Sequence, residues 1–128
     1  MSSQTDTVRQ LLKLYESFNT TEVVKLFDKN ATYQFANFPA AVGIDQIRQA
    51  AASSHLDAIT SAKFDVQDMI ELGDGVVVCE MIISYGTKDG RTIKLPCSDL
   101  FRFNEQGLIK EMKIYMDPGP MFAPPPSA

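Results

Sequence analysis

There is no tryptophan in the chain, one histidine (His55) and only two cysteines, Cys79 and Cys97. A structural zinc site therefore lacks its usual nitrogen and sulfur ligands. The cysteines have no Cys-x-x-Cys spacing and lie in apolar surroundings, which favours reduced, buried thiols over a disulfide. Also missing are a glycine-rich phosphate loop, a nucleophile elbow, an internal repeat and a heptad run. No stretch approaches the ~20 apolar residues of a membrane span, and "MSSQTDTVRQ" holds no apolar run of signal-peptide length. The expectation is a cytoplasmic protein that does not associate with membranes. Clustered Lys and Arg are absent too, and a formal charge of −4 disfavours a nucleic-acid surface. No metal or organic cofactor is implied.

What is present suits one globular domain: 128 residues, 45% apolar and 22% charged. That domain is expected over residues 1–117. The Pro-rich tail 118–128, "PGPMFAPPPSA", cannot continue a strand, although Met121 and Phe122 are apolar enough to pack back. Thr7 and Gln10 have capping-box spacing, predicting a first helix from Asp6 or Thr7 that buries Val8, Leu11, Leu12, Tyr15 and Phe18 on one stripe. A short second helix is predicted from Glu22 to Asp28, burying Val23, Leu26 and Phe27. "ATYQF" (31–35) reads as a strand and "ANFPAAVG" as a loop. From Ile44 to Ala58, the residues Ile44, Ile47, Ala51, His55 and Ala58 share a helical face.

The period then falls to two. Lys63 to Leu72 alternates, with Phe64, Val66, Ile70 and Leu72 on the apolar side. "GDG" (73–75), "KDG" (88–90) and "NEQG" (104–107) turn the chain through three hairpins. The result is an α+β domain: three helical segments, a lone strand, then a four-strand antiparallel meander with helices over one face.

On the strand from Arg91 to Phe103, one parity collects Ile93, Leu95, Cys97, Asp99, Phe101 and Phe103. Asp99 is the charged exception on that apolar face. An ionised carboxylate buried without a partner costs several kcal/mol, so such a group is paired, hydrogen-bonded or protonated. No regular position on the same face supplies Arg or Lys. Tyr15, on the first helix, and His55, on the third, are the polar candidates to meet it. Cys97, Phe101, Met112, Ile114 and Met116 face the same side, Met81 joins them from the preceding strand, and Tyr33, Phe35 and Phe38 are placed to line a cavity mouth. Flexible thioethers suit a cavity that adapts to a ligand.

With these residues in view, the element order and the stretch "SDLFRFNEQGLIKEMKIYMD", over roughly residues 6 to 117, resemble the ketosteroid isomerase and SnoaL-like polyketide cyclase group of the nuclear transport factor two-like superfamily. The pattern D-x-F-R-F-x-x-x-G-x-I runs from Asp99 to Ile109. The resemblance implies a cone-shaped, strongly curved antiparallel sheet packed on three helices, a cystatin-like roll, around an apolar cavity, and a homodimer. In ketosteroid isomerases a helix Tyr and a strand Asp donate hydrogen bonds to a dienolate oxygen, the Asp being kept neutral by its apolar site. Tyr15 in "LLKLYESF" and Asp99 in "CSDLFRF" fall at those positions. The isomerase's proton-shuttling Asp would stand at Phe35, which departs from the pattern. Limonene epoxide hydrolases, a sister branch, need Arg-x-Asp and a further Asp where Glu80, Ile82 and Ile114 stand, a second departure. His55 titrates near neutrality and is the candidate to replace the missing base.

Two function classes follow. One is an isomerase, cyclase or dehydratase acting on an apolar carbonyl or enolisable small molecule, with Tyr15 and Asp99 stabilising an oxyanion and His55 moving the proton. The other is a non-catalytic ligand-binding or dimerisation domain, because fold does not imply function. Each residue also has a plainer reading: Tyr15 as core packing, Asp99 as a cap on backbone amides, His55 as a half-exposed helix residue. Asp68 shares the apolar parity of its strand unless a bulge turns it outward. Leu100 and Tyr115, on the outer sheet face, are candidates for a homodimer contact, or for a protein-docking patch like that of the superfamily's transport members.

Overall fold

The first helix forms because its apolar residues fall on one stripe and its charges suit its ends. In the computed structural model, which describes residues 4–53 and 59–122, α1 spans Gln4–Glu16 and buries Val8, Leu11 and Leu12. Asp6 in the first turn and Lys13 in the last complement the helix dipole. Phe18 then takes a positive φ of 56°, which ends the helix. Asn19 restarts the chain as α2, Thr20–Val23, its side-chain oxygen accepting the Glu22 amide at 3.1 Å.

A single 3₁₀ turn, Val24–Leu26, follows, and at Phe27 the backbone is already extended. The expected helix to Asp28 is therefore too long, and the strand expected at 31–35 too short: β1 spans Phe27–Phe35. Phe27 pairs with Ile109 and is only 3% exposed, so a long-range partner overrides the local helical pattern. Within the expected loop, Ala41–Val42 forms a short strand, β2, antiparallel to β1. Helix α3 is Ile44–Ser53, with Ile47 and Ala51 buried as their spacing predicts. His55 and Ala58 lie outside the described residues.

The meander comprises β3 (Ile59–Gly73), β4 (Val76–Thr87), β5 (Thr92–Phe103) and β6 (Ile109–Tyr115). Its first turn needs three consecutive positive φ angles, at Gly73, Asp74 and Gly75. A Cβ on Gly75 would meet the Phe103 carbonyl oxygen at 3.0 Å, so glycine is required there on two counts. The register of β4 with β5 runs unbroken from Val76–Arg102 to Gly86–Thr92, through Pro96. Pro96 lies past the last β5–β6 pair, Ser98–Tyr115, so its missing N–H costs no bond on that side.

The sheet order is β2-β1-β6-β5-β4-β3, and β1 runs parallel to β6. The expected cone and cystatin-like roll are overturned. The sheet is mixed instead of antiparallel, and it is open, neither closed nor strongly curled, with β2 and β3 at opposite edges. The α+β class, with N-terminal helices against one sheet, stands. Closure depends on the pairing and stagger of the two edge strands, which an alternation pattern does not contain.

A register shift between Val66 and Asp68 corrects the face expected for β3. Beyond it Met69 turns inward, Asp68 is exposed, and Ile70 and Leu72, expected on the apolar side, are 37% and 63% exposed. Glu16 ties α1 to this edge strand, accepting the Phe64 amide at 2.8 Å. After β6 a short helix, α4 (Gly119–Phe122), returns Met121 to the core at 5% exposure.

Candidate functional site

Asp99 sits in the middle of the sheet, opposite Cys79 on β4 and Ile114 on β6. It is 3% exposed and is the buried charged-type residue among the described ones. No cation approaches its carboxyl group among the described residues; its hydrogen bond there comes from Cys97, whose Sγ donates to Oδ1 at 3.2 Å. Burial pushes the carboxyl up to about 7, and the thiol's hydrogen bond opposes that rise. A carboxyl raised this far keeps its proton into a range where an ordinary carboxylate is ionised.

Tyr15 approaches from α1. Its hydroxyl is buried and has no hydrogen-bond partner among the described residues. Burial, then the neighbouring Tyr33, Asp99 and Tyr85, hold that hydroxyl well above its ordinary titration range. The Tyr33 hydroxyl raises it through charge and through a weak side-chain contact that falls outside ordinary hydrogen-bond geometry. Burial likewise raises Tyr33 from β1 and Tyr85 from β4, with Asp99 adding to both. The two thiols follow: Cys79 is pushed up to about 11 by burial and by Asp99, and Cys97 higher for the same reasons. At neutral pH every one of these phenols and thiols keeps its proton.

Tyr15, Tyr33, Tyr85 and Asp99 all line one cavity of about 50 Å³. Among the described residues the remainder of its wall is apolar, from Leu12 and Phe18 on the α1 side to Phe64 on β3 and Ile83 on β4. The described wall offers phenol hydroxyls and a carboxyl raised out of the ordinary carboxylate range, so it suits an apolar ligand that brings an acceptor. Among the described residues no group of three or more His, Cys, Asp or Glu is placed to hold a metal ion.

The expected site residues divide. Tyr15, Asp99, Tyr33, Phe35, Met112 and Ile114 come together around this cavity. Phe38 stacks on Phe35 at 5.8 Å and lines an adjoining hollow with Tyr33, Pro39 and Ala50. Met81 and Phe101 are fully packed core residues, and Met116 is half-buried just past β6; none of the three lines the cavity wall. Cys97 lies beside Asp99 on the same face of β5, bonded to it, and is not among the described residues that line the cavity. His55 is outside the described residues. Tyr85 and Phe64 belong to the wall although neither is among the site residues expected from the sequence. For Tyr85 the signal is there, since it continues the inward parity of Cys79, Met81 and Ile83 on β4.

Comparison with curated proteins gives no match. Among solved structures, an NTF2-like protein of unknown function from Burkholderia pseudomallei K96243 superposes with a TM-score of 0.82 at 17% identity, covering 94% of this chain and 95% of its own. A protein with a ketosteroid isomerase-like fold from Catenulispora acidiphila DSM 44928, solved with trimethylamine, has a TM-score of 0.76 at 20% identity, with coverage of 86% and 84%. SalBIII, an epoxide hydrolase/cyclase-like enzyme of pyran ring formation in the polyether salinomycin, has a TM-score of 0.77 at 15% identity, with coverage of 89% and 90%. At these identities the likeness shows the fold alone. A family model described as the SnoaL-like domain matches residues 8–112, most of the chain. The chain therefore belongs to the SnoaL-like domain family.

Proposed function

We propose that the protein is an isomerase, cyclase or dehydratase acting on an apolar small molecule with a carbonyl group or an enolisable carbon. The observation that carries this reading is Asp99, buried with no cation beside it among the described residues and sharing a cavity with the Tyr15 hydroxyl, which has no hydrogen-bond partner among them. When a proton leaves the carbon beside a carbonyl, charge gathers on the carbonyl oxygen. Two donors already in place, in a wall of low polarity, stabilise that oxyanion with little reorganisation. Tyr15 and Asp99 are those donors, and His55 is the proton carrier in this reading. Membership of a fold family associated with small-molecule isomerase and cyclase activity supports it.

A specific observation favours a second reading, a ligand-binding domain without catalysis. Phe35 occupies the position of the isomerase base, and it is 6% exposed in the cavity wall. A ligand that co-purifies and survives prolonged incubation unchanged would decide for that reading.

Ultraviolet titration with small phenols of graded acidity tests the donor site directly. Bound phenols are expected to ionise more readily than in water, and Asp99→Asn to weaken this by about 10-fold or more, the value of a hydrogen bond to a charged group. Phenols that bind without ionising, or an unchanged Asp99→Asn profile, would remove the site's proposed role.

The homodimer belongs to the same reading. Helices cover one sheet face, while Tyr115, 57% exposed, and the half-buried Leu100 stand on the other. Sedimentation at micromolar concentration should give twice the chain mass, reduced to one by Tyr115→Lys; a wild-type monomer sinks the dimer.

A further inference from the structure

In an antiparallel strand, side chains two residues apart share a face, and here the pair is Cys97 and Asp99 on β5. Both are buried, at 5% and 3% exposure, and the Cys97 thiol lies 3.2 Å from Asp99 Oδ1. Among the described residues, the titratable groups around the carboxyl are phenols and thiols: Tyr15 on α1, Tyr33 on β1, Cys79 and Tyr85 on β4, and Cys97 itself, with Arg9 on α1 acting on Cys79. From β6 come Met112 and Ile114, and from α3 Ala51, none of which titrates. The Cys97 thiol donates a hydrogen bond to the carboxyl.

We propose that Cys97 is a positioning residue: its thiol donates to Asp99 Oδ1, fixes the carboxyl plane, and so assigns the acidic proton to Oδ2. The chemistry is that of a neutral carboxylic acid, which has one hydroxyl oxygen and one carbonyl oxygen. An oxygen that accepts a thiol proton takes the carbonyl role, leaving the other as the donor offered to a ligand. The thiol also stabilises the negative charge that grows on Asp99 as it gives up its proton, making it a stronger acid than burial alone allows. This inference rests on the donor reading of Asp99 given above. It adds a residue that touches neither the cavity nor the ligand.

The test follows the Asp99 side-chain carboxyl by carbon-13 NMR against pH, without ligand, in the wild type, Cys97→Ala and Cys97→Ser. Cys97→Ala is expected to move the Asp99 midpoint up by about one pH unit, since a hydrogen bond to the ionised form is lost. Cys97→Ser, which keeps a donor, is expected to return it to the wild-type position or below. Midpoints that coincide in all three would leave Cys97 as core packing and overturn the proposal. A downward move in Cys97→Ala would overturn it too, because the thiol would then be the acceptor. Should Cys97→Ala fail to fold, the infrared S–H band of the wild-type protein gives the same information. One of its two thiol components should shift as Asp99 titrates, and a band unmoved by pH would count against the assignment. Phenol ionisation in Asp99→Asn separates the two ideas: a phenol indifferent to that substitution removes the donor reading while a moved midpoint still upholds Cys97, and the converse holds equally.

Discussion

Tyr15→Phe is expected to make the protein more stable while removing most of its ability to ionise a bound phenol. A buried hydroxyl without a partner carries a desolvation cost of about 1–3 kcal/mol, and phenylalanine removes it while keeping the ring. The ring has packing of its own to preserve, with Phe64 at a centroid distance of 6.4 Å. The opposite sign applies to function. Losing one of two donors to a charged oxygen should weaken phenolate binding by about 10- to 100-fold. Urea unfolding read beside the phenol titration checks both halves. A variant less stable than wild type would mean that the Tyr15 hydroxyl has a partner in the folded protein, and the claim that it waits for a ligand would fail.

The second large effect is a pH dependence of stability that runs against the usual carboxylate pattern. Asp99 titrates at about 7 in the folded protein and near 3.8 when unfolded. Below both values each state holds the proton and Asp99 contributes no pH dependence. Between them the unfolded chain ionises while the folded one does not, so the folded state binds more protons and stability falls as pH rises. Above about 7 both are ionised and the loss is complete. A shift of this size corresponds to roughly 4 kcal/mol as an upper bound. Asp99→Asn cannot titrate, so its stability relative to wild type should rise between pH 4 and pH 8 and then level off. Asp28 and Asp89, whose carboxyls are held below their ordinary range by hydrogen bonds, first from the Asn30 amide and the Thr87 hydroxyl respectively, are common to both proteins and cancel in the comparison. A difference that stays constant over this range would mean that Asp99 is ionised throughout, and an ionised Asp99 donates nothing.

Both effects trace to one conflict between local pattern and chemistry. Apolar residues alternate along β5, and at one position a carboxyl takes an apolar place. Local consistency is the rule for foldable sequences, and a single breach of it in a buried face points to a site. That breach is legible in the amino-acid sequence, as are the three hairpin turns, the buried stripe of α1 and the inward face of β5, because each depends on residues a few places apart. The bulge in β3 is not legible in detail: Ile70 and Leu72 have the right apolarity for the core, and only the pairing with β4 turns them out.

Tertiary structure decided the rest. Phe27 became a strand residue because Ile109 is its neighbour, 82 positions along the chain (109 − 27), and the sheet stayed open because its edge strands do not pair. Met81 and Phe101 share a parity with cavity residues, yet cross-strand register packs them into the core while Tyr85 and Phe64 reach the cavity. The sequence by itself determined which side chains face inward, since that follows from a two- or 3.6-residue period carried by the chain locally. Which of those side chains meet was decided by long-range register, and so the encounter of Tyr15 with Asp99, on which the proposed chemistry depends, belongs to the fold.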